Sequence, residues 1–152
     1  MTESPNSTPP APMPTDIVVA YDFSPPAHRA LELARTLRAR LKAGVHVVHV
    51  CEVPHGIIAG PAVVPPPPEQ LHDIEVSLRE KIADVFGPEA QAISSRVLVG
   101  VPLDQLLEFV ATENANLICI GTTGRTGMER ILLGSVAEKI IRKSPVPVLT
   151  VH

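Results

Sequence analysis

The residues with the most evident chemistry lie in "IGTTGRTGMERILLGSVAEKI", residues 120–140. An apolar run leads into Gly121, Gly124 follows three residues on, and Gly134 and Ser135 stand just ahead of a helix-like run. Glycine in such a connection does one of two things. It supplies a backbone turn that other residues resist, or it lets another group come close to the main chain. As turn devices, Gly121 would end a strand, Gly124 would take a positive φ, and Gly134 would precede a helix. The second reading makes the segment an anion site. Glycines admit phosphate oxygens to backbone N–H groups, and the helix beyond offers unpaired N–H donors at the positive end of its dipole. Ser135 could add a hydroxyl and Arg125 a cation. Ser135 also has a local use, because "SVAE" has the form of a capping box in which Ser135 and Glu138 satisfy each other's backbone N–H groups.

Other chemistries find less support. There is no G-x-x-x-x-G-K-[ST] segment, and no G-x-G-x-x-G follows the first apolar run, which argues against a standard dinucleotide fold. His46 and His49 are three apart on a strand-like run, so they face opposite sides and cannot share an ion. Ser24, Ser135, His28 and Asp22 supply the residue types of a hydrolytic triad, but no nucleophile-elbow pattern accompanies them. No residue is therefore assigned a catalytic role. Cys51 and Cys119 are too few for a disulfide framework, and each ends an apolar run, where a free cysteine is usually a small core residue.

These residues need a scaffold, and 152 residues suffice for one substantial core. Apolar residues make up 45% and aromatic residues 3%, so the interior should be aliphatic. The formal charge of −3 provides no basic field for nucleic acid or acidic membrane. The basic residues Arg29, Arg35, Arg38, Arg40 and Lys42 read as one solvated helix face. No apolar stretch approaches the roughly 18 residues of a membrane span, and no signal pattern opens the chain, so a soluble, cytoplasmic protein is expected.

Residues 1–14 hold five prolines and little to bury, and read as a disordered tail ahead of a domain at 15–152. "DIVVAYD" predicts a buried strand. Ser24 and Pro25 start a helix that reaches about Lys42, with Gly44 as its stop. "VHVVHVCEV" is a second strand, followed by the Pro/Gly-rich 54–68 loop. A helix from Glu69 to Phe86, the strand "AISSRVLVG", a helix opened by Pro102, the strand "NLICIG", a helix from Ser135 and the strand "VPVLTV" complete the chain. Strict alternation predicts an α/β domain, doubly wound, with a five-stranded parallel sheet and helices on both faces. Ligands of such sheets sit beyond the carboxyl ends of the strands, where the strand order reverses. Asp22, the end of the second strand near Val50, and the 121–135 connection all follow strand ends.

With Gly121-Thr-Thr-Gly124, nine residues, then Gly134-Ser135 between the last two strands, and "VAEKIIRKSPVPVLTV" behind it, the chain resembles the universal stress protein family, nucleotide-binding branch, over about residues 15–152. The resemblance implies strand order 3-2-1-4-5 and an ATP site, with Mg²⁺ reaching Asp22 through the nucleotide. It implies that Asp22, with Ala20 and Tyr21 beside it, lies near ribose and adenine, and that the Val50 backbone reads the adenine. Gly121, Thr122, Gly124, Arg125, Gly134, Ser135 and Val136 would form the phosphate loop; Thr123 stands where a His is often found. The implied role is a stress-response regulatory protein that binds an adenine nucleotide with little or no turnover. A slow ATPase and a dimeric interaction module without nucleotide are the alternatives. The resemblance also implies a homodimer through the last strand, whose Pro147 suits a sheet edge. The implied order would put Cys51 and Cys119 on strands about 9–10 Å apart, too far for a disulfide.

Overall fold

Each apolar run between the helical stretches becomes a strand, and the strands of this computed structural model form one parallel sheet. The structure describes residues 12–53, 64–122 and 133–152. The proposed tail at 1–14 therefore lies almost entirely outside the described residues, as do most of the 54–68 loop and Gly124 and Arg125. The elements are β1 (Asp16–Ala20), α1 (Pro25–Leu41), β2 (Gly44–Glu52), α2 (Pro68–Phe86), a 3-10 stretch (Gly87–Ala92), β3 (Ser94–Gly100), α3 (Pro102–Thr112), β4 (Leu117–Gly121), α4 (Ser135–Lys143) and β5 (Val148–Val151). The strand order is β3-β2-β1-β4-β5. Every neighbouring pair is parallel, with Val19 level with Val47 on one side and with Cys119 on the other. β1 is thus the centre, and the order reverses between β1 and β4.

The period-two alternation of β1 divides the core. Ile17, Val19 and Tyr21 pack with Ala30, Leu31 and Ala34 of α1 and Leu78, Ile82 and Phe86 of α2. Val18 and Ala20 face the other way, onto Leu103, Leu106 and Val110 of α3 and Ala137 and Ile140 of α4. Ile17, Val18 and Val19 are wholly buried. Burying an aliphatic side chain of this kind is worth about 1.5–3 kcal/mol, which makes the centre of the sheet the rigid base on which the strand ends stand.

The start of α1 follows the expectation. The Ser24 hydroxyl oxygen accepts the Ala27 N–H at 3.3 Å, and Pro25 occupies the first turn. Its end does not. Lys42, not a glycine, takes the left-handed conformation (φ 58°), and Gly44 already belongs to β2. The Arg38 guanidinium donates to the Ala43 carbonyl at 2.9 Å and holds this tight exit, while Ala43 itself is fully buried. Cys51 and Cys119 form no disulfide with each other and are buried, on strands that flank β1. Burial pushes the Cys119 thiol up to about 12. No helix among the described residues is long and apolar enough to cross a membrane. β5 is an edge strand, and Pro147 precedes it, with its carbonyl accepting the Ile118 N–H at 3.0 Å.

Candidate functional site

Where β1, β2 and β4 end, their next residues diverge around a cavity of about 500 Å³. That volume lies within the range of small-molecule sites, roughly 300–1,000 Å³. It occupies the carboxyl side of the sheet at the reversal of strand order, where open α/β sheets hold their ligands. Ala20, Val48 and Ile120 form an apolar floor, and the wall is closed by the beginnings of three helices: α2 through Gln70 and Ile74, α3 through Pro102 and Leu106, and α4 through Ser135, Val136 and Ala137.

The α4 side carries the donors. Gly134 is the N-cap, with φ −68° and ψ 156°, and the first intrahelical bond runs from the Glu138 N–H to the Gly134 carbonyl at 2.9 Å. The N–H groups of Ser135, Val136 and Ala137 come before that ladder begins, and all three residues line the cavity. Three main-chain donors at the positive end of a nine-residue helix favour a negatively charged group. The capping-box expectation is corrected here. Ser135 is the first helical residue and not the cap, and the cap itself, Gly134, has no side chain to offer. The exposed Ser135 hydroxyl is one position too far along the helix to reach back to the N-terminal N–H groups.

Gly121 and Gly134 have different reasons for being glycine. A Cβ on Gly121 would stand 2.7 Å from the Ala27 nitrogen and 2.8 Å from the Pro26 carbonyl carbon, both backbone atoms. Gly121 borders the cavity, but its lack of a side chain is what lets α1 pack on β4. The Gly134 backbone conformation is one that any residue adopts, so no turn geometry requires glycine there.

On the opposite rim, Asp22 is half-buried and lines the cavity, and its Oδ1 accepts the Ser24 N–H at 2.9 Å, which orients the carboxylate. Val50, half-buried at the end of β2, also lines it, as does Glu52. Tyr21 contributes wall only. Its N–H bonds the Val48 carbonyl at 2.8 Å, its carbonyl contacts His49 Nδ1 at 2.8 Å, and its ring turns to the α1 face, where the hydroxyl meets His28 Nδ1 at 3.2 Å. Burial raises the Tyr21 pKa, with the charges of Asp22 and Asp84 adding to it.

Of the expected site residues, Ala20, Tyr21, Asp22, Val50, Gly121, Gly134, Ser135 and Val136 meet at one cavity. Thr122 does not line it. Its N–H bonds the Val151 carbonyl at 2.8 Å and its hydroxyl lies 3.2 Å from His152 Nδ1, so it faces β5. Gly124 and Arg125 lie outside the described residues. Sequence reasoning missed Glu52, His49, Gln70, Ile74, Pro102 and Leu106. Only Ile74 and Leu106 gave a sign, since each lies on an apolar stripe near a helix start that faces a strand end. Ser24 serves α1 as its cap and His28 meets Tyr21, so no hydrolytic triad forms among them. His46 and His49 point to opposite faces, against Phe109 and Phe23 respectively. Among the described residues, no group of three or more His, Cys, Asp or Glu could hold a metal ion.

Comparison with known proteins identifies the scaffold. The model of the universal stress protein family matches residues 13–152. Universal stress protein MJ0531 of Methanocaldococcus jannaschii is 34% identical over 145 residues, covering 89% of this chain and 80% of the relative. The solved structure of UspA from Lactobacillus plantarum superposes with a TM-score of 0.72 at 20% identity, covering 91% of this chain and 97% of that one, a likeness of fold. A universal stress protein solved in complex with cAMP gives a TM-score of 0.69 at 26% identity, covering 93% of this chain and 98% of that one.

Proposed function

The chain belongs to the universal stress protein family, and on that premise we propose that it is a stress-response regulatory protein that binds an adenine nucleotide, ATP in the first place, in the cavity at the carboxyl ends of β1, β2 and β4. The observation that carries the proposal is the position of α4. The N–H groups that its first turn leaves outside the helical ladder belong to residues that line a cavity large enough for a nucleotide. The cAMP complex of a 26% identical structure supports the same ligand class.

In this reading the Ser135, Val136 and Ala137 N–H groups hold a phosphate, each bond to a charged oxygen contributing about 1.5–3 kcal/mol. Gly134 leaves room for that oxygen, and Arg125 is proposed as an assisting cation. The apolar floor of Ala20, Val48 and Ile120 takes the base, with the Val50 backbone reading its edge. Asp22, held by the Ser24 N–H, accepts from ribose hydroxyls. The described wall holds the carboxylates of Asp22 and Glu52 and no Lys or Arg. A polyphosphate would therefore bring Mg²⁺ with it, and Asp22 is the group placed to meet that ion through the nucleotide. Turnover is slow or absent in this reading. His49, the imidazole of the wall, already has its Nδ1 on the Tyr21 carbonyl, which ties it to the fold. We propose in addition a cytoplasmic homodimer through the β5 edge, whose outer main-chain groups have no neighbouring strand among the described residues.

Calorimetric titration with ATP·Mg²⁺, together with mass spectrometry of any small molecule released on denaturation, tests the reading. Saturable binding of one adenine nucleotide per chain, with phosphate release slow over hours, is the expected result. A flat titration of nucleotide-free protein with both ATP·Mg²⁺ and cAMP would overturn it.

A further inference from the structure

We propose that Thr122 is a positioning residue for the site, the clasp through which the β5 edge sets the place of the α4 N-terminus. All three of its polar groups are engaged, and they join the end of β4 to two other parts of the chain. Its N–H donates to the Val151 carbonyl at 2.8 Å, its carbonyl accepts the Gly134 N–H, and its hydroxyl lies 3.2 Å from His152 Nδ1. Gly134 is the N-cap of α4, so one peptide unit separates Thr122 from the N–H donors of the candidate phosphate site. His152 is itself held from the far side, where Arg29 Nε of α1 donates to its carbonyl. On the α1 side the preceding Gly121 is wedged against Pro26 and Ala27. The Thr122 end of the clasp is thus held between α1 and the end of β5.

Thr122 is only 3% exposed. A hydroxyl buried to that degree costs stability unless it is bonded, and valine would fill the same volume without that cost. The His152 ring supplies the bond, and this is the physical reason for a threonine at a place that does not line the candidate site. In consequence, a force on β5, such as strand pairing along its open edge, is transmitted to Gly134 through one residue.

This inference rests on the nucleotide reading for its functional half, and its test has one arm that does not. Thr122→Val, Thr122→Ser and His152→Ala are compared with the parent chain. The first arm is amide hydrogen exchange at Gly134 in nucleotide-free protein. Exchange there should quicken in Thr122→Val and His152→Ala and stay near the parent value in Thr122→Ser. The second arm is ATP·Mg²⁺ titration, in which the same two variants should bind about two- to tenfold more weakly, the loss of one hydrogen bond, and Thr122→Ser should restore affinity. Parent-like exchange at Gly134 in both Thr122→Val and His152→Ala overturns the clasp. Quickened exchange with parent affinity overturns its role in positioning. A parent chain that binds no nucleotide sinks the nucleotide reading and with it the functional half, while the exchange arm still decides whether the clasp exists.

Discussion

At the amino ends of the strands, Asn116 closes the sheet on itself. Its Oδ1 accepts the N–H groups of Thr15 and Asp16 at 2.9 and 3.2 Å, its Nδ2 donates to the Met13 carbonyl, and its own N–H bonds the Asp16 carbonyl at 3.0 Å. Asp16 in turn lies 3.5 Å from His46 Nε2. Polar groups there are matched to one another within a few residues of the sheet. At the carboxyl ends the same three strands open around about 500 Å³, with the first-turn residues of α4 on one side and Asp22 and Glu52 on the other. At this end Asp22 accepts the Ser24 N–H and also lines the space that the first turn of α4 borders. A fold that needed only stability would have no reason to treat its two rims so differently. The amino rim serves the scaffold, and the carboxyl rim is where the proposed nucleotide site lies.

The sharpest way to break this contrast is Gly134→Val. The backbone at 134 (φ −68°, ψ 156°) accepts valine without strain, so the fold should persist. A branched side chain at the mouth of the donor cluster should lower ATP·Mg²⁺ affinity by about 100-fold or more, the loss of one or two charge-assisted hydrogen bonds. Calorimetry alongside thermal unfolding reads both quantities. Parent-like binding would mean that the open rim is not the site. Gly121→Ala is the counterpart at the same rim. Its Cβ meets backbone of Pro26 and Ala27 under 3 Å away, which cannot move as a side chain tip would. Overpacking of this kind costs about 1–3 kcal/mol of stability. A chain with Gly121→Ala that melts at the parent temperature would show that α1 has room to shift.

Asn116→Ala probes the amino rim directly. Removing the shared acceptor of two N–H groups should cost about 1–2 kcal/mol in denaturant unfolding, with ATP·Mg²⁺ affinity unchanged within twofold. A large loss of affinity would erase the division between the rims.

Much of this contrast is legible in the residues, and the exceptions have physical causes. Five apolar runs separated by amphipathic stretches specify an alternating α/β chain, and Pro25, Pro102 and Ser24 mark helix starts because their backbone and side-chain constraints are local. Strand order required the family resemblance, since it depends on packing between distant segments. Local rules also misplaced two boundaries. The left-handed exit of α1 fell on Lys42, where Arg38 secures the turn on the Ala43 carbonyl. The box "SVAE" matched a pattern one residue out of step with the helix it was meant to cap. At the site, residues that follow strand ends were legible, because a parallel sheet sends them all to one rim. The walls from α2 and α3 were not, since Gln70 and Pro102 carry no chemistry that marks them before the helices are docked. The family resemblance put Thr122 in the phosphate loop, and its bonds to Val151, His152 and Gly134 could not be read from the sequence, since they join distant segments.

Ser135→Ala makes the finest distinction, because its two possible roles predict different numbers. A capping serine would contribute about 1 kcal/mol to stability. Ser135 is instead the first residue inside α4, exposed and without a capping bond, so its loss should change unfolding by less than about 0.5 kcal/mol. Its backbone N–H, the donor that matters in the proposed site, survives the substitution. What disappears is a hydroxyl at the cavity wall, worth about 1.5–3 kcal/mol of ATP·Mg²⁺ affinity if it meets a charged phosphate oxygen. Unfolding and titration of the single variant separate the cases: a weaker ligand with an unchanged fold places the hydroxyl on the ligand. An unchanged ligand with a weaker fold would return Ser135 to the helix and leave the main-chain donors as the whole of the anion site.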